Sequence, residues 1–115
     1  MSESLKFARV FSALGSEQRL EIVRLLLNAG SEGLSVGQIQ ERLEIPNSTL
    51  SHHLEKLRSE GLLGTRKDRQ WVWHYVELEA VGRLVTFLCG RCYQPELLQP
   101  LFNRIQTQCQ KTLKS

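Results

Sequence analysis

Among 115 residues there are only three cysteines, three prolines and one methionine, and aromatic residues make up 7%. Three thiols, an odd number, cannot build a closed disulfide framework, so at least one lacks an intrachain partner. No internal repeat or low-complexity segment interrupts the chain. No apolar run approaches membrane-spanning length. The opening Met1-Ser2-Glu3-Ser4-Leu5-Lys6 lacks the basic-then-apolar layout of an export signal. A cytoplasmic protein with no membrane partner is expected, its thiols reduced at rest. Also missing are a glycine-rich phosphate loop, an H-E-x-x-H pair and a nucleophile elbow, so catalysis is not expected. Nor does one sign of charge dominate: the net charge is +3, and where the charges sit matters more than their sum. What is present, 41% hydrophobic and 23% charged residues, suits a single domain over residues 1–115.

Hydrophobic spacing divides the chain. Phe7, Phe11 and Leu14 mark one face of a first helix over residues 4–14, stopped by Gly15. Ser16 is a good cap for a second helix running to about residue 28, and Ile22, Val23, Leu26 and Leu27 give it a wide apolar stripe. Residues 29–33 read as a loop. Ser35 and Gln38 form a capping-box pattern before a short third helix with Val36, Ile39 and Leu43 inward. A tight Glu44-Ile45-Pro46-Asn47 turn leads into a fourth helix, capped by Asn47 or Ser48, with Leu50, Leu54 and Leu57 inward and Gly61 at its end. Residues 62–67 and 70–76 read as two strands, the second rich in β-branched and aromatic residues. Leu78, Val81, Val85 and Leu88 then register on a fifth helix, and Leu98, Phe102, Ile105 and Cys109 on a sixth over about residues 96–113. Pro95 marks the boundary between them.

The fold class is therefore mainly α with a two-stranded β-hairpin, in the order helices, hairpin, helices: a winged helix-turn-helix. The terminal helices, about 4–14 and 78–113, carry more apolar surface than so small a domain needs to cover, and pairing two copies would bury it. A homodimer is expected.

Residues 34–75 carry the functional signal. With three leucines holding the inner face of the fourth helix, Asn47, Ser48, Thr49, Ser51 and His52 remain at its exposed start. These side chains suit hydrogen bonding to base edges and phosphates, and a helix N-terminus favours a phosphate. Arg66, Lys67 and Arg69 put three cations within four positions of the hairpin tip, where they would neutralise phosphates. Each signal alone is ordinary, since polar helix starts are usually caps and charged hairpins usually solvated. Their joint placement points to double-stranded DNA. The rival is a protein-contact module using Trp71 and Trp73, residues more often found packing a hairpin. His53 reads as a packing or surface residue rather than a ligand, and His74, in a strand, as a structural one.

The run Ser51-His52-His53-Leu54-Glu55-Lys56-Leu57-Arg58-Ser59-Glu60-Gly61-Leu62-Leu63 resembles the signature of the ArsR (ArsR/SmtB) family of bacterial repressors. The earlier Leu14-Gly15-Ser16-Glu17-Gln18-Arg19-Leu20-Glu21-Ile22-Val23-Arg24-Leu25-Leu26 resembles that family's second helix and the turn before it. The likeness covers about residues 7–88. It implies a homodimer that blocks transcription from a palindromic operator and is released by an inducer, often a metal or metalloid ion. It also implies a dimer interface built from the first and last helices. The chain departs from the family in three places. No thiol lies near the start of the third helix, where one type of arsenic and cadmium sensor has two. The fifth helix lacks the Asp and His ligands of zinc-type sensors. Asp68-Arg69 stands in the hairpin turn, where many relatives have glycine.

Cys89-Gly90-Arg91-Cys92 is a C-x-x-C pair at the end of the fifth helix, and Cys109 lies seventeen residues after Cys92. Thiols three positions apart share a helix face and could hold a soft ion jointly. Trivalent arsenic or antimony, As(III) or Sb(III), would take these three sulfurs as an inducer, with no metal required for folding. Two alternatives stand beside this. Cys89 and Cys92 could form a regulatory disulfide, which a deformed helix end would have to permit. Or the cysteines are small core residues, Cys92 continuing one apolar seam and Cys109 the other.

Overall fold

The computed structural model describes residues 2–89, 100 and 103–107. The chain divides into two compact units, Met1–Leu84 and Val85–Ser115. The first contains α1 (Glu3–Leu14), α2 (Glu17–Ala29), a 3-10 turn (Gly30–Glu32), α3 (Val36–Leu43), α4 (Asn47–Ser59), β1 (Leu63–Asp68), β2 (Trp71–Val76) and the first half of α5 (Leu78–Cys89). In the second, residues 103–107 are helical and Ile105 is exposed. The rest of the expected sixth helix lies outside the described residues, as do Pro95, Cys92 and Cys109.

Serines start three helices. Ser2, Ser16 and Ser35 each accept a backbone N–H of the first turn. The capping box closes as expected: Gln38 N–H donates to Ser35 Oγ, and Ser35 N–H donates to Gln38 Oε1. α3 ends on Glu44 in the left-handed region at φ 54°, and Ile45 is then buried. Here one expectation is corrected. α4 begins at Asn47 itself, so neither Asn47 nor Ser48 caps it; Pro46 holds the cap position with no side-chain hydrogen bond. Proline's fixed φ, with an extended ψ of 144°, turns the chain directly into the helix. At the other end Leu62 N–H reaches Leu57 O (3.1 Å) and Gly61 N–H reaches Arg58 O (2.9 Å), with Gly61 at φ 80°. That is a Schellman closure, and the flanking Leu57 and Leu62 are both buried.

The hairpin is antiparallel, registered from Leu63↔Val76 to Asp68↔Trp71. Its two-residue turn is therefore Arg69-Gln70, one position later than the departure from glycine suggested. Arg69 takes a positive φ of 59°, a conformation glycine adopts without steric cost. The segment read as a loop holds more structure than expected. After the 3-10 turn, Leu34 and His74 exchange both backbone hydrogen bonds, at 2.9 and 2.8 Å, tying the front of α3 to β2. Gly33, at φ 76°, permits this because a Cβ there would run into the His74 carbonyl.

Ile22, Leu26, Ile39, Leu50, Leu57 and Leu62 are almost wholly buried and form the centre of the core. The apolar faces of three helices are buried only in part. On α1 Phe7 and Ala13 are buried, whereas Phe11 and Leu14 are half-buried. On α2 Leu27 is 40% exposed, because Ile22, Val23 and Leu26 already fill the inward arc. On α5 Leu84 is buried, while Leu78, Val85 and Leu88 are exposed. Truncating Leu57 leaves a cavity, so Leu57→Ala is expected to lower stability by about 2–5 kcal/mol. Leu27→Ala should cost about 1 kcal/mol or less. Urea unfolding of the two variants measures both, and equal losses would contradict this division of the core.

Candidate nucleic-acid interface

α4 is held from beneath. Leu50, Leu54 and Leu57 point into the core, and the helix repeat then places the intervening residues outward. Asn47, Ser48, Ser51 and His52 are exposed and Thr49 is half-buried, so the structure brings all five expected reading residues to the open start of one helix. Pro46 supplies no side-chain cap to the first turn, and uncapped N–H groups at a helix start are the kind that receive phosphate oxygens. Further along, Lys56 pairs with Glu60 at 3.8 Å, Arg9 pairs with the same carboxylate at 3.7 Å, and Arg58 pairs with Glu55. Surface pairs of this kind stabilise little, but they occupy these cations.

The three hairpin cations do not act as one cluster. Alternation along the strands puts Thr65 and Lys67 on one face with Val72 and His74, and Arg66 and Asp68 on the other with Trp71 and Trp73. The first face shares a cleft of about 250 Å³ with Ser51, Leu54 and Arg58 of α4. Lys67 is thus on the face of the hairpin that lines a cleft with α4. Arg66 lies opposite and donates to the Glu32 carbonyl at 3.3 Å. Arg69 is exposed at the tip. Trp71 is 51% exposed and stacks on Trp73 with ring centroids 6.1 Å apart. The tryptophans therefore cover part of each other, on the face away from α4.

Two histidines have surroundings that the sequence did not reveal. His74 is half-buried in β2; its loss of solvent, and secondly the Arg58 guanidinium, hold it below the ordinary histidine range. His53, half-buried on α4, contacts Arg19 and Gln18 at the start of α2. Those partners lie more than thirty positions away in the chain, and helical periodicity carries no signal for such a contact.

Comparison with known proteins places this geometry. The family described as Helix-turn-helix domain matches residues 14–66. The transcriptional activator HlyU of Vibrio cholerae is 38% identical over 85 residues, covering 74% of this chain and 76% of HlyU. The solved HlyU structure superposes with a TM-score of 0.61 at 37% identity, covering 81% of this chain and all of the other. A homodimeric winged helix-turn-helix DNA-binding domain from Mycobacterium bovis, described as a possible ArsR-family regulator, is 29% identical with a TM-score of 0.61, covering 76% and 83%. The chain belongs to the ArsR family. A putative arsenical resistance operon repressor of Halobacterium salinarum is also similar, 42% identical over 62 residues, covering 54% of this chain and 47% of that one. An ArsR-family regulator binds DNA and controls transcription, and the relatives are regulators rather than enzymes. Among the described residues no helix is long and apolar enough to cross a membrane.

The interface makes a graded prediction for duplex binding. Lys67→Ala and Arg69→Ala should each weaken affinity alike across sequences and lower the slope of log K against log salt by about one. Arg66→Ala, on the opposite face, should change that slope less. Affinity measured at several salt concentrations checks this, and a larger effect from Arg66 than from Lys67 would reverse the assignment of faces.

Proposed function

We propose that this ArsR-family regulator is a repressor that binds a palindromic operator as a homodimer and is released by a thiol-binding metalloid. The observation that carries the DNA half is the pairing of a buried leucine face with an open polar face on α4, beside the Lys67 face of the hairpin. Asn47, Ser48, Thr49, Ser51 and His52 read the groove, while Lys67 and Arg69 hold phosphates and Arg66, on the opposite face of the hairpin, contributes less. Exposed apolar residues on α5, Leu78, Val85 and Leu88, supply surface for a second copy. The homodimeric M. bovis relative supports that assembly. In such a dimer the two α4 helices would sit about 34–36 Å apart, one turn of DNA.

The inducer half rests on the thiols. Cys89 ends α5 half-exposed and free of any disulfide, and thiolates are the donors a soft trivalent ion prefers. Cys92 and Cys109 complete the proposed set. The likeness to an arsenical repressor supports this choice, although HlyU carries the name of an activator. Release follows from the inducer binding one dimer state more tightly than the other.

A gel shift under reducing conditions, with and without arsenite, tests the reading. Arsenite should release DNA from the native protein and fail to do so for Cys89→Ser, Cys92→Ser and Cys109→Ser. Release that survives all three substitutions rejects the thiol site. Release by a mild oxidant instead of arsenite assigns the pair to disulfide switching.

A further inference from the structure

His53 stands at the centre of a polar chain that crosses from α1 to the DNA-reading helix. Arg19, at the start of α2, donates from Nε to the carbonyl of Ala13 near the end of α1. Its Nη1 lies 3.3 Å from His53 Nδ1, and His53 Nε2 lies 2.8 Å from Gln18 Oε1. A guanidinium only donates, so Nδ1 must accept; Nε2 then carries the proton and donates to Gln18. The geometry therefore fixes one state of the ring, neutral with its proton on Nε2. Ala13 is fully buried, so the far end of the chain is seated in the core. His53 follows directly on His52 and lies two residues from Ser51, both on the reading face.

We propose that neutral His53 is a positioning residue that holds the reading helix against the α1–α2 corner, and that a proton on its Nδ1 breaks this clamp and weakens DNA binding. The proposal rests on α4 being the DNA-reading helix. A proton on Nδ1 would face the Arg19 guanidinium with no acceptor between them. The charged groups acting on the ring are Arg19 from α2 and His52 on its own helix, while α1 contributes only the uncharged Ala13 carbonyl, through Arg19. Partial loss of solvent first, then Arg19, then His52, all lower the His53 pKa from its ordinary value of 6.5. The sign follows: the fold favours neutral His53, so its contribution is complete above the ordinary value and is lost as pH falls through the lowered one.

The experiment uses a duplex selected from a random library by the native protein at about pH 7.5 and follows its affinity down to about pH 5.5. Native affinity should fall about tenfold, the scale of one charge-assisted hydrogen bond. His53→Gln, which can donate to Gln18 and accept from Arg19 without titrating, should bind as the native protein does at the higher pH and lose nothing at the lower. His74→Gln, which removes the other lowered histidine, should keep the native loss. Nitrogen NMR should show His53 neutral with its proton on Nε2 and titrating at the midpoint of the affinity loss. An equal loss in His53→Gln, a proton on Nδ1 at neutral pH, or DNA binding indifferent to pH overturns the proposal. A native protein that selects no duplex at all sinks the interface reading, and the clamp with it.

Discussion

The seating of α4 by Leu50, Leu54 and Leu57 is the constraint on which the remaining geometry depends. Each buried leucine contributes about 1.5–3 kcal/mol of transfer free energy, and all three lie on one inner face. That burial fixes the rotation of the helix about its axis and so decides which side chains face outward. The Schellman closure at Gly61 fixes where the helix stops, and β1 begins two residues later. The rotation of one helix and the launch point of the hairpin are thus set by the same few apolar contacts. The polar residues of the interface contribute little to holding their own positions.

Much of this arrangement was legible in the sequence, because it rests on local rules. Leucine spacing, a serine and a glutamine three apart, and a glycine after a helix all have mechanisms confined to a few residues, and the structure realises each. The failures have a common cause. The cap of α4 was misplaced because Pro46 enforces the turn that an Asn or Ser cap would otherwise make. An apolar stripe does not say how much of itself the core has room for, and Leu27, on the stripe of α2, is left partly exposed. The Leu34–His74 bridge and the His53 contacts join segments thirty or more positions apart, and nothing in either segment alone announces the other. The split of the hairpin cations between two faces was legible in principle from the period of two, but only once the strand register was known.

In the proposed repressor the thiols and the DNA-reading residues belong to different stretches of the chain. The polar start of α4 and the hairpin tip carry the charges and hydrogen-bonding groups suited to nucleic acid, whereas the cysteines begin where α5 ends. Leu78, Val85 and Leu88, three of the exposed apolar residues, belong to that same helix. In the proposed repressor an inducer therefore has no need to touch the reading surface; it has only to favour one arrangement of two copies over another. The polar chain through Arg19 and His53 adds a second connection, joining the reading helix to the end of α1.

Amide chemical-shift mapping with duplex DNA bears most directly on the central claim. If the open face of α4 and the hairpin tip form the reading surface, the largest shifts will fall on residues 47–52 and on Lys67 and Arg69, while the amides of Ile22 and Leu26 stay in place. Shifts concentrated instead on the Trp71–Trp73 face, with residues 47–52 undisturbed, would contradict it.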